Sequence, residues 1–293
     1  MAEGHNFGGD WTDDKLGRIR RYLESFTTAL KRQNFSRLYV DAFAGTGYRT
    51  QSNQFEIEQD QLSFIDPPGM EAMKNGSARI ALGVESGFHR YVFIEKHAAR
   101  FEQLQKLRTE FPNLSDKLEI LRDDANTAIV AVCRETDWQK WRAVVFLDPY
   151  GAQVDWRTIE AIANTKAIDL WYLFPSIALD RMLPKNGVIP ESWQDRLDQM
   201  LGDVAWRTEF YAESGQTDLF SIDNRKERKA SVDAIDRYMG ARLGSVFPAV
   251  AKRSARMCNS TGYCMYLLYF ACANPNPKAH RLALRIAEHI LKD

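Results

Sequence analysis

The tripeptide Asp148-Pro149-Tyr150 contains the groups needed to hold a planar amine. Such an amine is a poor nucleophile until acceptors hold its N–H groups and turn its lone pair toward the group being transferred. The carboxylate of Asp148 and the carbonyl that follows can supply both acceptors, and the ring of Tyr150 can stack on the substrate. Transfer then depends on alignment more than on a strong base. The tripeptide predicts an amine-binding site, with a tight turn at a strand end as the alternative.

The motif Asp41-x-Phe43-x-Gly45-x-Gly47 could bind a cofactor. Glycines let the backbone approach a ligand and adopt positive φ, and a turn that leads into a helix offers free N–H groups. A dinucleotide-binding fingerprint needs a third glycine three residues after the second, where Thr50 stands. The motif therefore predicts a ligand-binding turn that differs from the nicotinamide-binding one.

Acidic residues also follow the next two apolar segments. Glu95 ends the second segment, where a carboxylate can accept hydrogen bonds from both hydroxyls of a ribose; a helix-capping or solvated glutamate is the alternative. The third segment is followed by Asp123-Asp124-Ala125-Asn126, in which Asp123 is expected to cap the next helix. Ligand groups at three consecutive strand ends form one crevice.

The surrounding elements alternate between strands and helices. Strands are predicted at residues 38–43, 90–95, 118–121, 143–148 and 168–174, and helices at 15–31, 77–84, 97–111, 126–134 and 156–164. Alternation of this kind predicts a parallel, doubly wound sheet. Two late strands at 249–257 and 264–273 predict an antiparallel hairpin, and a closing helix is predicted at 278–291. Residues 48–70 are predicted to be irregular.

The expected organisation is a single α/β domain over residues 1–293 with a mostly parallel, seven-stranded sheet and an antiparallel terminal hairpin. A helical element at 11–33 precedes the sheet, and a charged, largely helical insertion at about 176–245 lies between strands 5 and 6. The insertion contains a basic run that could contact phosphates, or that could be a solvated helix face. The candidate contacts are Arg225, Lys226, Arg228 and Lys229.

The composition of the chain disfavours several classes of function. Lys+Arg and Asp+Glu are both 39, so the net charge is zero, which argues against coating nucleic acid or membrane by charge alone. No apolar run approaches the roughly 20 residues that span a bilayer, and the first residues contain no signal-peptide segment. The four cysteines form no C-x-x-C pair, so we expect reduced thiols, no metal site and a cytoplasmic protein without membrane contact.

Three segments resemble those of methyltransferases that use S-adenosylmethionine (SAM). The turn after Asp41 resembles their motif I, in which the acid faces the amino group of the cofactor's methionine part. Asp124, with Ala125 after it, fits the segment whose acid meets the adenine amino group. Asp148-Pro149-Tyr150-Gly151 resembles the D-P-P-Y motif of base-amine methyltransferases, and is closer to the D-P-F-G form of tRNA guanine-N2 dimethyltransferases. The resemblance implies that SAM is held by Asp41, Phe43, Gly45, Gly47, Glu95, Asp124 and Ala125.

A closer resemblance, outside residues 176–245, is to the three-Cys-motif partner proteins (TcmP). It rests on Trp11-x3-Lys15-Leu16, Tyr39-Val40-Asp41-Ala42-Phe43-Ala44-Gly45-Thr46-Gly47, Phe146-Leu147-Asp148-Pro149-Tyr150-Gly151 and Asp169-Leu170-Trp171-Tyr172. It implies a bacterial protein with a Rossmann-like class I methyltransferase fold and a partner protein that carries the three-Cys motif. Cys258, Cys264 and Cys272 of this chain are not that motif. The family has no settled substrate.

The leading hypothesis is a SAM-dependent methyltransferase acting on an amine, with an exocyclic amine of a nucleic-acid base as the favoured acceptor. The neutral net charge weakens the nucleic-acid interpretation. The alternatives are a methyltransferase for small-molecule or protein amines and a SAM-binding scaffold that catalyses nothing. A nicotinamide-dependent dehydrogenase is disfavoured by Thr50 and by the terminal hairpin.

Overall fold

The computed structural model describes residues 10–47, 76–213, 226–259 and 261–292. The predicted irregular segment 48–70, Thr50 and the candidate phosphate contact Arg225 lie outside these ranges. No helix within them is long and apolar enough to cross a bilayer. Each of the four cysteines is a free thiol.

Five parallel strands form the centre of the sheet, in the order β3-β2-β1-β4-β5. Their bounds are β1 Ser36–Asp41, β2 Arg90–Ile94, β3 Leu118–Leu121, β4 Trp141–Leu147 and β5 Ile168–Phe174. In the register, Asp41 lies opposite Phe93 of β2 and Phe146 of β4. Glu95 and Asp148 each come two residues after these partners, so all three acids lie at one edge of the sheet.

Helices cover both faces of the sheet. Their bounds are α1 Asp10–Leu30, α2 Ser77–Leu82, α3 Ala98–Gln105, α4 Leu107–Glu110, α5 Ala125–Glu135, α6 Trp156–Asn164, α7 Ser176–Met182, α8 Glu191–Leu201, α9 Trp206–Glu209, α10 Val232–Val246 and α11 Pro277–Lys292. Side chains alternate along each strand. Thus Tyr39 packs on the α1, α2, α3 and α11 face, whereas Val40 packs on the α5 to α10 face. The predicted single helix 97–111 was wrong: it is divided at Lys106, which donates to Gln103 O instead of continuing the α-helical pattern.

The last strand, β10 (Cys264–Cys272), is antiparallel to β5. The prediction of a single strand at 249–257 beside it was wrong. Two short strands, β8 (Ala249–Val250) and β9 (Ala255–Cys258), pair with β10 in different registers. Between them the exposed Lys252 and Arg253 leave the ladder. The sheet therefore has eight strands instead of seven. Its strand order and antiparallel last strand are those of the Rossmann-like class I methyltransferase fold expected from the sequence.

The insertion contains a β-hairpin as well as the helices α7 to α10. β6 (Tyr211–Glu213) and β7 (Lys226–Arg228) pair antiparallel, apart from the main sheet. The basic run therefore lies partly in a strand, and the interpretation as a solvated helix face was wrong. Cross-strand pairing fixes the backbone here, a long-range contact that helical periodicity cannot show.

Helix α1 packs along one face of the sheet and is hydrogen-bonded to β5. Its buried side includes Ile19, Tyr22 and Leu23. The hydroxyl of Tyr22 donates to Oδ2 of Asp169 at 2.6 Å. Burial raises the pKa of Asp169 to about 6, although hydrogen bonds from Cys272 and Tyr22 act in the opposite direction. The ionised carboxylate is therefore disfavoured in the folded state.

We expect Asp169→Asn to remove a free-energy cost of folding that increases as pH rises. Because the pKa is higher in the folded than in the unfolded chain, Asp169 stabilises the fold below pH 4 and loses that contribution as pH rises through 6. The free energy of unfolding of the wild type should fall relative to the variant by about 3 kcal/mol over this interval. Urea titrations at pH 4, 5, 6 and 7 measure this difference.

Asp137→Asn is the matched control, because the hydrogen bonds of Lys140 and Gln139 lower the pKa of this exposed carboxyl. Between pH 4 and 7 the difference in stability between the wild type and this variant should stay nearly constant, because a lowered pKa confines its change to lower pH. A difference between wild type and Asp169→Asn that does not change with pH would contradict the account of Asp169.

Candidate functional site

Asp148 lies directly after β4 and is paired with Lys15 of α1. The distance from Lys15 Nζ to Asp148 Oδ2 is 2.6 Å, and the two side chains are 0% and 2% exposed. Nζ also lies 5.7 Å from the centre of the Phe146 ring. A buried charge is tolerated only when a partner compensates it. The pair therefore joins the first helix to the end of β4 at the predicted amine site.

Sequence reasoning did not identify Lys15 as a functional residue, because the helix was predicted to begin there. The helix begins at Asp10, which places Lys15 in its second turn. Lys15 precedes Ile19 by four residues and so belongs to the same buried face. A lysine on the apolar face of an amphipathic helix is the signal that could have revealed it.

One carboxylate oxygen of Asp148 can still accept a hydrogen bond. Its Oδ1 has no hydrogen-bond donor among the residues that the structure describes, since the pair with Lys15 uses Oδ2. The backbone carbonyl of Pro149 is next in the chain. These are the two acceptors predicted from the sequence for an amine, with one carboxylate oxygen already occupied.

Asp41 is buried at the end of β1. Its Oδ1 accepts from the N–H of Phe43 at 3.3 Å. Within the described ranges, Oδ2 has no hydrogen bond of good geometry. Burial is the main cause that raises the pKa of Asp41 to about 6, with the charge of Asp148 acting in the same direction and the hydroxyl of Ser77 in the opposite one. Asp41 and Asp148 thus belong to one electrostatic cluster, with Lys15 as its cation.

The turn after Asp41 requires its glycines. Gly45 and Gly47 have φ values of 62° and 71°, in the left-handed region. A Cβ on Gly47 would lie 3.2 Å from Leu107 and 3.3 Å from Leu104. Phe43, in the same turn, is partly buried against the core. The backbone at Gly47 therefore passes close to α3 and α4, where a side chain has no room.

Glu95 follows β2 and is only 6% exposed, which excludes the solvated alternative. Its Oε1 accepts from the N–H of His97 at 2.8 Å, and the Nε of Arg100 lies 3.8 Å from the same oxygen. Oε2 receives no hydrogen bond from the described part of the chain. A buried carboxylate with one unused oxygen at this place can accept from a ligand hydroxyl.

The structure gives Asp124 the helix-capping role that was expected for Asp123. Asp124, and not Asp123, caps α5: its Oδ1 accepts from the N–H groups of Asn126 at 3.0 Å and Thr127 at 3.4 Å. Asp123 accepts from the N–H of Asp124 at 2.7 Å instead. Asp124 is in the extended conformation that an N-cap needs, one residue later than predicted. Its Oδ2 lies 3.7 Å from Nζ of Lys96, and buried Ala125 begins the helix.

Asn126 fixes the loop that carries Tyr150, a role that sequence reasoning missed. Its Nδ2 donates to the carbonyl of Gln153 at 2.9 Å, and its Oδ1 accepts from the N–H of Asp155 and the hydroxyl of Thr158 at 2.9 and 2.8 Å. Gln153 Oε1 in turn accepts from the N–H of Tyr150 at 3.0 Å. A buried asparagine with both amide atoms satisfied thus positions the loop after β4.

Tyr150 and Glu95 are linked by one side chain. The guanidinium carbon of Arg100 lies 4.7 Å from the centre of the Tyr150 ring. Sequence analysis did not single out Arg100, because nothing in a helical pattern shows that its first turn faces a loop two strands away.

The predicted phosphate contacts of the basic run have different surroundings. Arg228 is 16% exposed and pairs with the carboxylate of Asp180, and it also donates to the Asp180 carbonyl at 3.2 Å. This arginine therefore anchors β7 to α7 and is already paired with a carboxylate. Lys229 is exposed, and Lys226 begins β7. A polar cleft of about 730 Å³ near Phe35, Arg37 and His89 lies at the opposite end of β1 and is separate from the site.

No protein-family model matches the sequence. A search of curated proteins finds no significant match. Solved structures with similar folds include protein LPL1258 of Legionella pneumophila (family DUF519), 14% identical, with 94% of this chain and 91% of that chain covered and a TM-score of 0.43. A spermidine synthase in complex with the transition-state analogue AdoDATO is 12% identical, over 92% and 62% of the two chains, with a TM-score of 0.41.

A third similar structure is the magnesium protoporphyrin IX methyltransferase ChlM from Synechocystis PCC 6803 with bound SAM. It is 10% identical, over 92% of this chain and 86% of that chain, with a TM-score of 0.34. The strand order of this chain carries the fold assignment independently of these likenesses.

We expect Lys15→Met to destabilise the fold by about 3–5 kcal/mol, because it leaves Asp148 buried without its cation. The double variant Lys15→Met/Asp148→Asn should recover most of the loss, since neither charge remains. Urea denaturation followed by circular dichroism measures the three free energies of unfolding.

Arg20→Met is the control on the same helix. Arg20 pairs with Glu24 at 2.9 Å, but both side chains are largely exposed, so its loss should cost less than about 1 kcal/mol. If Lys15→Met costs no more than Arg20→Met, the pair does not hold the helix to the site.

Proposed function

We propose that the protein is a SAM-dependent methyltransferase that acts on an amine. The observation that carries this proposal is the placement of four groups at adjacent strand ends in the order β3-β2-β1-β4. Asp124 follows β3, Glu95 follows β2, and Asp41 with its glycine turn ends β1. Asp148-Pro149-Tyr150 follows β4. A crevice at the carboxyl ends of parallel strands is the usual ligand site of such sheets.

Two features of the chain fit the cofactor. Oδ2 of Asp41 is a buried acceptor in need of a donor, which the ammonium of a methionine part would provide. Gly45 and Gly47 give the turn after Asp41 the left-handed backbone that such a binding turn uses. Glu95 would accept from the ribose hydroxyls, and Asp124 with Ala125 would meet the adenine. When bound, SAM supplies an activated methyl group on a sulfonium centre.

The acceptor half of the site would orient the amine. Oδ1 of Asp148 and the carbonyl of Pro149 accept its two N–H groups, which leaves the nitrogen lone pair free for the methyl group. Lys15 fixes the carboxylate plane by holding Oδ2. As the new N–C bond forms, the nitrogen gives up one proton, and Asp148 is the nearest base among the side chains assigned to the amine.

An exocyclic amine of a nucleic-acid base is the favoured acceptor. Such an amine is neutral and planar, and so it matches a pair of N–H acceptors beside the Tyr150 ring. The ammonium of Lys15 beside Asp148 disfavours a protonated alkylamine. The alternative of a small-molecule amine keeps the same chemistry with a different acceptor.

A second candidate is a SAM-binding partner protein without catalysis. The occupied Oδ2 of Asp148 favours it, because Lys15 already supplies the carboxylate with a donor. The resemblance to the three-Cys-motif partner proteins supports a partner in either case. The two candidates differ in whether a methyl group is transferred.

A calorimetric titration with S-adenosylhomocysteine (SAH), with NAD as the control ligand, tests the cofactor. We expect micromolar binding of SAH alone. Labelled-methyl transfer from SAM to RNA, DNA and small amines then tests catalysis. Binding without transfer to any of them would favour the scaffold, and binding of neither ligand would contradict both candidates.

Asp148→Asn should lower methyl transfer at least about 100-fold while SAH affinity stays within a few-fold, because an amide cannot replace both the charge and the acceptor geometry. Lys15→Met/Asp148→Asn, which contains no unpaired buried charge, should be equally inactive. Calorimetry and the labelled-methyl assay measure the two effects. A parallel loss of SAH affinity would show that Asp148 serves the cofactor.

SAH affinity should depend on pH through Asp41. The pKa of Asp41 in the free protein is about 6, and the ligand ammonium pairs with the ionised form. Affinity should therefore rise as pH increases to about 6 and then level off, with about tenfold weaker binding at pH 5 than at pH 7. Calorimetry across pH 5–8 measures this dependence.

Asp41→Asn should bind SAH weakly and without that slope. Asp169→Asn is the matched control, because burial raises the pKa of Asp169 to about 6 as well, but this carboxyl lies inside β5 and is hydrogen-bonded to Tyr22 of α1. It should keep the wild-type profile. A slope that survives in Asp41→Asn would contradict the assignment of Asp41.

A further inference from the structure

Arg100 contacts groups that follow the two strands on either side of β1. Its guanidinium contacts Tyr150, which follows β4, while its Nε points toward Glu95, which follows β2. In the sheet β1 lies between these two strands. Both contacts involve the guanidinium end of the side chain, so Glu95 and Tyr150 converge on one group although another strand separates the strands that precede them. Arg100 therefore lies where the cofactor half and the acceptor half of the proposed site meet.

The guanidinium of Arg100 has donors available for a ligand. The distance of 3.8 Å to Glu95 is longer than a hydrogen bond, and the guanidinium makes no hydrogen bond to any residue in the described ranges. The side chain is 27% exposed, so it reaches solvent at the mouth of the crevice. An arginine presents five N–H groups in a planar fork that matches phosphate oxygens.

Arg100 and Tyr150 form one stacked pair beside the amine acceptors. Nucleobases stack on guanidinium planes as well as on aromatic rings. A base whose amine reaches Oδ1 of Asp148 would therefore meet a flat, positively charged surface. An alkylammonium offers no planar face to this pair and would meet the cation of Arg100 directly.

We propose, on the basis of the proposed function, that Arg100 determines the acceptor class. It favours an amine on a nucleobase whose own phosphate reaches the guanidinium, and it excludes protonated alkylamines. Arg100 is thus a specificity residue for a nucleotide unit, and the basic run of the insertion is not required for this recognition.

Binding measurements in the presence of SAH test the role of Arg100. The probes are adenosine, cytidine and guanosine, their 5′- and 3′-monophosphates, and putrescine as the protonated diamine, each followed by ligand-detected NMR. With the wild type, at least one monophosphate should bind about tenfold or more tightly than its nucleoside. Putrescine should not compete with it.

Arg100→Gln should remove most of that phosphate advantage while nucleoside affinity changes by less than about threefold, because only the charged fork is lost. Arg100→Lys keeps the charge without the fork and should retain part of the advantage. Arg134→Gln is the matched control, since Arg134 is exposed at the far end of α5 and pairs with Glu135. It should behave as the wild type.

SAH titrations of every variant distinguish a failure of the proposed role of Arg100 from a failure of the methyltransferase proposal. If SAH binds and no phosphate advantage exists, or if the advantage survives in Arg100→Gln, or if putrescine competes, the role of Arg100 is overturned and the methyltransferase proposal stands. If the wild type binds neither SAH nor any monophosphate, both are overturned. Preferential binding of a longer single-stranded oligonucleotide over the monophosphate would support the role and identify a polynucleotide as the source of the phosphate.

Discussion

The buried ion pair between Lys15 and Asp148 constrains the whole sheet edge. Two charges that are 0% and 2% exposed must remain together, so α1 and β4 cannot shift independently. The same helix packs Ile19 and Leu23 against the sheet and joins β5 through Tyr22 and Asp169. The acceptor end of the site is therefore held by a helix that precedes the sheet in the chain and supplies the cation that the buried acids need.

The rest of the site follows from this arrangement. Burial and the charge of Asp148 raise the pKa of Asp41 to about 6, while Ser77 and Lys15 act in the opposite direction. The glycine turn, with its left-handed residues Gly45 and Gly47, follows Asp41 directly. Asn126 holds the loop after β4 from the opposite side, through Gln153. Asp41, Glu95 and Asp148 thus lie at the ends of strands. The turn after β1 and the loop after β4 supply the other groups that would contact ligands.

Much of the fold could be predicted because strands β3, β5 and helix α6 are strongly patterned, and their bounds at 118–121, 168–174 and 156–164 match the prediction. The features that were predicted wrongly, or were not predicted, depend on long-range contacts. The register of β8 and β9 is set by β10, the strand at Lys226–Arg228 by β6, and the burial of Lys15 by Asp148. The Asp123 error was local: either aspartate could cap a helix, and backbone geometry chose Asp124.

A crystal structure of the protein with SAH tests the central claim most directly. The account predicts that the ribose lies on Glu95, that the ammonium contacts Asp41, and that the sulfur faces the side of the crevice that holds Asp148 and Tyr150. Arg100 should then have left Glu95 while it keeps its contact with Tyr150. SAH bound elsewhere, or bound with its sulfur turned away from Asp148, would contradict a methyl transfer at this site.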